Sequence, residues 1–447
     1  MKNKVVVIDG GGRGAALVHA YSKSAAVSEL FAIPGNDLMQ SLTKKKVTIF
    51  PDLKTTSINQ ILEICQKEKP SLIDVAQDNA VEAGLADTLR DAGFNVIGPS
   101  KKAGQLEWDK SFSRELLKKT SAPQPEYVSF NSFAKGISYI KKSSDKPRFI
   151  KAAGLAEGKG ALPAKNNQEA IERINELKRF GKAAESFLIE DWLIGEEFSA
   201  FAICDGKNYQ FINTAQDHKR VLDGDLGENT GGMGCSTPPM VATPEILGQV
   251  HKIIKETLHQ LAKMGRPYNG ILYFGGIVVE TKKGPTVYVI EFNARWGDPE
   301  VEVILPGIEG DYYQLALSCA QGKLNDIKVQ TDGKYRVCIA AASKGYPLDY
   351  SAVKGKEIQG LEELLQDKDI TIYGAGVKKD GTKYLANGGR LFYVVAEGHN
   401  VIKATNTAYN ALKQVKIEGK NSENLLHFRR DIGYRDILRL LNNKPNN

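Results

Sequence analysis

The segment that most narrows what this chain can fold into is Val287-Tyr-Val-Ile-Glu291-Phe-Asn293-Ala-Arg295-Trp-Gly-Asp298-Pro-Glu300. An apolar β-type run ends by delivering a carboxylate, an amide oxygen and a guanidinium at alternate positions. Side chains alternate faces along a strand, so Glu291, Asn293 and Arg295 share one face. Oxygen ligands of this kind suit Mg²⁺, which protein carboxylates hold together with nucleotide phosphates. An arginine two residues further on stands where a transferring phosphoryl group needs a counter-charge. A solvated strand face closed by a turn is the plain alternative.

The 447 residues predict about three domains. A net charge of +7 is mild for this length and fits phosphorylated substrates. It lacks the clustered basic stripe that a nucleic-acid site needs, and Lys44-Lys45-Lys46 reads as a solvated loop. No apolar run approaches the length of a membrane span. The opening Met1–Asp9 reads as a first strand, not as a signal peptide. Cys65, Cys204, Cys235, Cys319 and Cys338 are scattered without CxxC spacing, which argues against disulfides or zinc and for a reducing cytoplasm.

The first hundred residues alternate short apolar strands with helical stretches, the pattern of a parallel sheet. Val5–Asp9 runs into Gly10-Gly11-Gly12-Arg13-Gly14, and a second strand ends at Pro34-Gly35-Asn36. Glycines after a strand can bring backbone amides to an anion at a helix N-terminus. The second strand has no terminal acid for ribose, so a dinucleotide is disfavoured. A monophosphate or other anion, or a structural tight turn, remains.

Pro123 and Pro125 open the next unit, in which Arg148–Lys151 is a strand followed by the loop Gly154-Leu-Ala-Glu-Gly158-Lys159-Gly160. Two lysines beside glycines suit phosphate, although a surface hairpin has the same composition. Glu190-Asp191-Trp192-Leu193, with Glu197 beyond, can line a base and take ribose hydroxyls, or be a solvated acidic turn. Residues 216–239 read as a long polar loop containing Gln216-Asp217-His218-Lys219-Arg220 and Asn229-Thr-Gly231-Gly232-Met233-Gly234, a closing substrate loop in which a structural His218 is an equal alternative. The tail from about residue 330 alternates strands and turns, and 442–447 read as frayed.

In order along the chain, these pieces resemble the ATP-grasp superfamily, and within it the glycinamide ribonucleotide synthetases (phosphoribosylamine–glycine ligases). Pro34-Gly35-Asn36, Ile150-Lys151-Ala152, Gly158-Lys159-Gly160, the QDHKR and NTGGMG pair, Ile290–Arg295, Gly297–Glu300, Asn387–Arg390 and Gly398-His399 carry the resemblance from end to end. It implies a multidomain fold of α/β and α+β parts: a Rossmann-like substrate domain (1–120), a mobile lid (121–190), a central ATP-grasp unit (191–329) and a small C-terminal α+β domain (330–447). It implies ATP and Mg²⁺ or Mn²⁺, small-molecule partners only, a cytoplasmic monomer, and a place in de novo purine (IMP) biosynthesis.

By the same resemblance Lys110 and Lys151 contact ATP phosphates, and Gly158, Lys159 and Gly160 form the nucleotide-binding lid loop. Glu190, Asp191, Trp192 and Leu193 line adenine, Glu197 takes the ribose, and Glu291 with Asn293 holds the metal. Gly11, Gly12, Arg13, Pro34, Gly35, Asn36, Asp217, Lys219, Arg220 and Gly232 hold substrates. Arg295, Asp298 and Lys159 serve catalysis, with Asp298 taking the glycine ammonium. ATP-grasp enzymes place another acid on the neighbouring strand, where this chain has Tyr273-Phe274-Gly275-Gly276 and only Glu280 nearby. Two further departures fall in the first domain. The usual GNGGREHAL reads Gly10-Gly-Gly-Arg-Gly14-Ala-Ala-Leu17 here, and GPE-x-PL reads Ala76-Gln77-Asp78-Asn-Ala-Val81. The implied reaction joins glycine to 5-phosphoribosylamine through glycyl phosphate; a ligase of another carboxylate and amine is the near alternative, and a nucleotide-binding regulator the distant one.

Overall fold

The computed structural model describes residues 3–156 and 159–442. The chain opens with five parallel strands, β1 (Asn3–Ile8), β2 (Val27–Ala32), β3 (Lys46–Ile49), β4 (Leu72–Val75) and β5 (Val96–Ile97), in the order β3-β2-β1-β4-β5. Helices α1 (Gly12–Ser22), α2 (Ile58–Glu68), α3 (Asp78–Ala83) and α4 (Leu85–Asp91) connect them. Val5 to Ile8 are wholly buried, as expected for a strand covered on both faces. The order in which strands are added reverses at β1, so the loops after β1 and β4 flank the crevice where such sheets bind ligands.

One buried carboxyl in this sheet carries a pH prediction. Asp74 of β4 accepts a 2.7 Å hydrogen bond from the Tyr21 hydroxyl, and burial pushes its pKa from 3.8 up to about 7. Between those values the unfolded chain binds fewer protons than the folded one, so stability falls as pH rises through that window. Asp74→Asn removes this dependence. Its advantage over the parent is expected to grow by roughly 4 kcal/mol between pH 4 and pH 8, read by denaturant unfolding at both.

Helices α5 (Lys101–Trp108) and α6 (Lys110–Thr120) lead to an antiparallel sheet of β6 (Tyr127–Phe130), β7 (Arg148–Ala152), β8 (Ala161–Ala164) and β9 (Phe187–Asp191), in the order β6-β9-β7-β8. Helices α7 (Phe133–Lys142) and α8 (Asn167–Glu176) pack their apolar stripes, including Ile140, Ala170 and Ile174, against Ile150, Phe187 and Ile189. This unit covers most of the segment, 121–190, that the resemblance implies as a lid.

A long antiparallel sheet adjoins it. It holds β10 (Glu196–Asp205), β11 (Tyr209–Asp217), β14 (Gly234–Thr237), β15 (Asn269–Thr281) and β16 (Gly284–Asn293). Helix α9 (Pro244–Lys263) lies against it, capped by Thr243, whose side chain accepts from the Ile246 amide. Ile246, Val250, Ile253, Ile254 and Leu261 repeat at helical spacing and form one face of the core with Phe274, Val287, Val289 and Phe292. Residues 216–239 are not the single polar loop that their composition predicts: they contain the hairpin β12 (Arg220–Leu222) and β13 (Leu226–Asn229) as well as β14. Polar side chains mask these strands, whose pairing is made by backbone groups and by ion pairs to the chain terminus.

After α10 (Val301–Ile304) and α11 (Tyr312–Ala320), β17 (Tyr335–Ser343) joins the same sheet through β14. The C-terminal part continues with α12 (Leu361–Leu364), β18 (Ile370–Gly374), the hairpin β19 (Val377–Asp380) and β20 (Lys383–Ala386), β21 (Arg390–Gly398), α13 (Val401–Leu412), β22 (Leu426–His427) and α14 (Tyr434–Asn442). Asn442 thus closes a helix, and 443–447 lie outside the described residues. A single apolar cluster joins Val5, Ala16 and Tyr21 to Phe201, Trp296, Tyr313 and Tyr393, so the first, central and C-terminal units share a core. All five cysteines are free and buried, and no described helix is long and apolar enough to cross a membrane.

Candidate active site

The site is built around the end of β16. Val287 and Val289 point into the core, and simple alternation would send Glu291 in after them. Instead the register against β15 shifts: Gly276 faces Val289 and Gly275 faces Glu291, leaving Ile290 unpaired. This bulge turns Glu291 and Asn293 to the cleft face, while Phe292 and Ala294 become the buried residues. Arg114 of α6 holds the bulge in place, donating Nη1 to the Val289 carbonyl at 2.9 Å and Nη2 to the Ile290 carbonyl at 2.7 Å.

The same arginine reaches β9. Its Nε and Nη2 grip both oxygens of Glu190 at 2.7 and 3.0 Å, and Lys151 Nζ closes on Glu190 Oε2 at 2.7 Å. Lys151 of β7 and Glu291 of β16 are therefore brought together, linked by Glu190 and Arg114. Burial opposes charge on Glu190, yet Arg114 and Lys151 hold its carboxyl down at about 2. That carboxylate is committed to Arg114 and Lys151. Just beyond Glu190, Trp192 packs on Phe149 at 4.7 Å between ring centroids, Asp191 pairs with Lys146 at 2.6 Å, and Leu193 is partly buried.

Lys110 begins α6, with Asp109 as its cap, and its Nζ reaches the Gly154 carbonyl at 3.4 Å. Burial lowers its pKa, while Glu291 opposes that shift. Lys159 and Gly160 lead into β8; Gly158 lies outside the described residues. Glu197 is half exposed and pairs with Lys219 at 3.1 Å, an interaction that raises the lysine pKa and leaves the carboxylate open to a ligand. Arg220 turns back on its own hairpin, donating to the Gly227 carbonyl at 2.6 Å.

Burial penalises charge on Glu291, but Lys219, Lys110, Lys151 and Arg295 outweigh it and hold the carboxyl below its ordinary range. The side chain is thus an ionised oxygen donor ringed by cations, with the Asn293 amide oxygen on the same face. This donor set fits a divalent cation that takes its other ligands from phosphates and water. Among the described residues no group of three or more His, Cys, Asp or Glu is arranged to hold a metal by itself. Glu280 pairs with Pro285 at the far end of the β15–β16 hairpin and is no ligand candidate.

Arg295 lies just past the strand, its Nη2 on Glu107 Oε1 at 3.0 Å and its Nη1 on the Trp296 carbonyl at 3.1 Å. Asp298 takes the Tyr393 hydroxyl at 2.5 Å and Arg390 at 3.0 Å, and Arg13 N approaches its other oxygen at 3.4 Å. Asp217 Oδ1 is buried without a hydrogen-bond partner; burial and then Glu300 raise its pKa well above the usual range. Gly232 packs against it. Asn36 spends its amide on the Gly10 and Gly374 carbonyls, at 3.1 and 2.9 Å, and so ties Pro34-Gly35-Asn36 to the glycine loop and to β18. The amides of Gly11 and Gly14 donate to the chain's own Asp9.

Models of the phosphoribosylglycinamide synthetase N domain, ATP-grasp (A) domain and C domain match residues 3–107, 108–301 and 336–435. A phosphoribosylamine–glycine ligase of Chlorobaculum tepidum is 36% identical over 435 residues, 96% of this chain and 99% of that protein. The chain belongs to the phosphoribosylglycinamide synthetase family. A second ligase of that name, from Synechocystis, is 37% identical over 97% of this chain and all of its own length. The crystal structure of the Thermotoga maritima phosphoribosylamine–glycine ligase superposes with a TM-score of 0.77 at 28% identity, covering 96% of this chain and 100% of that one. The multidomain architecture inferred from the sequence is that of the family, ATP-grasp domain included.

Arg114, Glu107 and Asp9 hold the site together and lie outside the candidate residues that the sequence motifs mark. Asp9 stands next to a glycine loop, and that neighbourhood could have flagged it as the loop's acid. Arg114 and Glu107 sit in helices whose charged residues look like ordinary solvated faces, so nothing local marks them.

Proposed function

We propose that this enzyme ligates glycine to 5-phosphoribosylamine at the expense of ATP, giving glycinamide ribonucleotide, ADP and phosphate in purine biosynthesis, as a cytoplasmic monomer. The observation that carries the reading is the convergence of Lys151 and Glu291, linked through Glu190 and Arg114, in a chain of this family. Glycine's carboxylate is a poor electrophile. Its oxygen attacks the γ-phosphorus of ATP, ADP leaves, and the resulting glycyl phosphate has a good leaving group. The free amine of phosphoribosylamine then attacks the acyl carbon and phosphate departs.

The protein's part is positioning and charge neutralisation. Lys110 and Lys151, with Lys159 and Gly160 of the lid, take the phosphates. Glu190 to Leu193 line the base and Glu197 takes the ribose. Glu291 and Asn293 would hold Mg²⁺ or Mn²⁺, which when bound supplies charge neutralisation between phosphates. Arg295 lies beside the transferring group. Asp298 and Asp217 are the acids available to a glycine ammonium, with Lys219, Arg220 and Gly232 around them. Gly11, Gly12, Arg13 and residues 34–36 shape the amine side. The lid excludes water that would hydrolyse glycyl phosphate.

Sustained ADP release over many turnovers is expected only when ATP, glycine and phosphoribosylamine are all present, and a coupled assay omitting each in turn checks this. ADP formed without regard to glycine would overturn the reading. Gly232 offers a narrower check: its φ is +115°, and a Cβ there would stand 2.4 Å from Pro299 Cδ and 2.8 Å from Asp217 Oδ1. Gly232→Ala must displace Asp217, so the KM for glycine is expected to rise roughly tenfold or more while that for ATP holds.

A further inference from the structure

We propose that Asp9 is a positioning residue for the ligation step: from within the chain it occupies the anion seat of the first glycine loop, and through Arg13 it fixes the Trp296 carbonyl that also orients Arg295. Asp9 directly follows β1 and is wholly buried. Its Oδ1 accepts from the Gly11 amide at 2.6 Å and from the Gly14 amide at 3.1 Å, and its Oδ2 accepts from Arg13 Nε at 2.8 Å. Helix α1 begins at Gly12 with Gly11 as a cap that has no side chain to offer. The positive end of a helix so exposed attracts an anion. Here the anion is a carboxylate of the same chain, so the Gly11 and Gly14 amides are not donors to the substrate's 5-phosphate.

Gly14 is what admits this arrangement. A Cβ at residue 14 would lie 2.9 Å from the Cβ, carbonyl oxygen and Oδ1 of Asp9. Any side chain there collides with the acid, so the two residues are sterically linked.

The consequence reaches the catalytic strand. Arg13 Nη1 donates to the Trp296 carbonyl at 3.0 Å, and Arg295 Nη1 donates to the same oxygen at 3.1 Å. Two guanidiniums on one carbonyl repel, and each therefore has its own counter-ion: Asp9 for Arg13, Glu107 for Arg295. Glu107 in turn accepts from the Ala294 amide at 2.8 Å. Loss of the Asp9 charge leaves Arg13 buried, unpaired and close to Arg295, where small displacements of a phosphoryl-facing group are costly.

The kinetic part of this inference rests on the ligase reading; the anion seat does not. Full-length Asp9→Gly and Asp9→Asn are compared with the parent, with formate as the probe. In Asp9→Gly, kcat is expected to fall by roughly 10²-fold with the KM for ATP within about twofold. Formate should restore part of that kcat and raise the variant's thermal midpoint, without effect on the parent. Asp9→Asn keeps the acceptor oxygen without the charge, so it should fold, lose activity and show no formate rescue. Should Asp9→Gly not fold, Asp9→Asn carries the kinetic arm. Parental kcat in Asp9→Asn, or a formate response equal in Asp9→Gly and parent, would overturn the proposal. If the parent itself forms no glycine-dependent ADP, the ligase reading fails, while the formate shift of Asp9→Gly still decides whether Asp9 fills an anion seat.

Discussion

Glu291→Ala is expected to fold as the parent does and to form ADP at least about 10³-fold more slowly. The side chain lies on the cleft face of β16 and contributes nothing to the apolar cluster that Val287, Val289 and Phe292 build on the other face, so the sheet does not need it. Its worth is electrostatic. Lys219, Lys110, Lys151 and Arg295 keep it ionised against the cost of burial. Removing it takes away an oxygen donor and leaves four cations without their shared counter-charge. A coupled ADP assay read beside a thermal melt separates the two effects. Turnover within tenfold of the parent in a folded variant would move the metal assignment elsewhere.

The second large effect concerns stability. Glu190 lies between Arg114 and Lys151, and all three side chains are buried. Replacing one member of such a group leaves unpaired charge in the interior, and Glu190→Gln is expected to cost about 3–5 kcal/mol. The parent should also show a particular acid dependence. The folded carboxyl titrates at about 2 against an ordinary value of 4.5. Its contribution is complete above pH 4.5 and is lost as pH falls towards 2, amounting to about 3 kcal/mol. Urea unfolding at pH 7 and at successively lower pH measures both. The variant should lack this acid-labile part, and an unchanged acid limb in it would show that Glu190 is not the group responsible. ATP affinity should weaken in the same variant, because Lys151 then loses the partner that aims it.

The glycine loop, the lysines beside glycines, the QDHKR segment and the Glu291–Arg295 strand all announce themselves locally. Each is a short run whose residue types are unusual together, and Lys151, Lys219 and Arg295 all act on Glu291. Other features carry no such mark. The hairpin at Arg220–Asn229 hides in polar sequence and is tied by Asp223 and Asp225 to Arg429, Arg430 and Arg435 some two hundred residues on. The C-terminal strands β17 and β21 extend the central sheet through β14 instead of forming a sheet apart. Edge pairing of this kind depends on backbone groups, which every sequence supplies equally.

The chemistry on offer was written in residue types: carboxylate and amide oxygens at alternate positions, cations near glycine, and apolar periods that set strands and helices. The direction in which that chemistry points was set by long-range contacts. Without the unpaired Ile290 and the grip of Arg114 on its carbonyl, Glu291 would follow Val289 into the core. Without Asp9 on the amides of Gly11 and Gly14, the first loop would be a seat open to any anion. Local sequence sets the periodicity of a strand, whereas a bulge, a buried counter-ion or a filled helix terminus is a balance between burial and charge, struck only where distant segments meet.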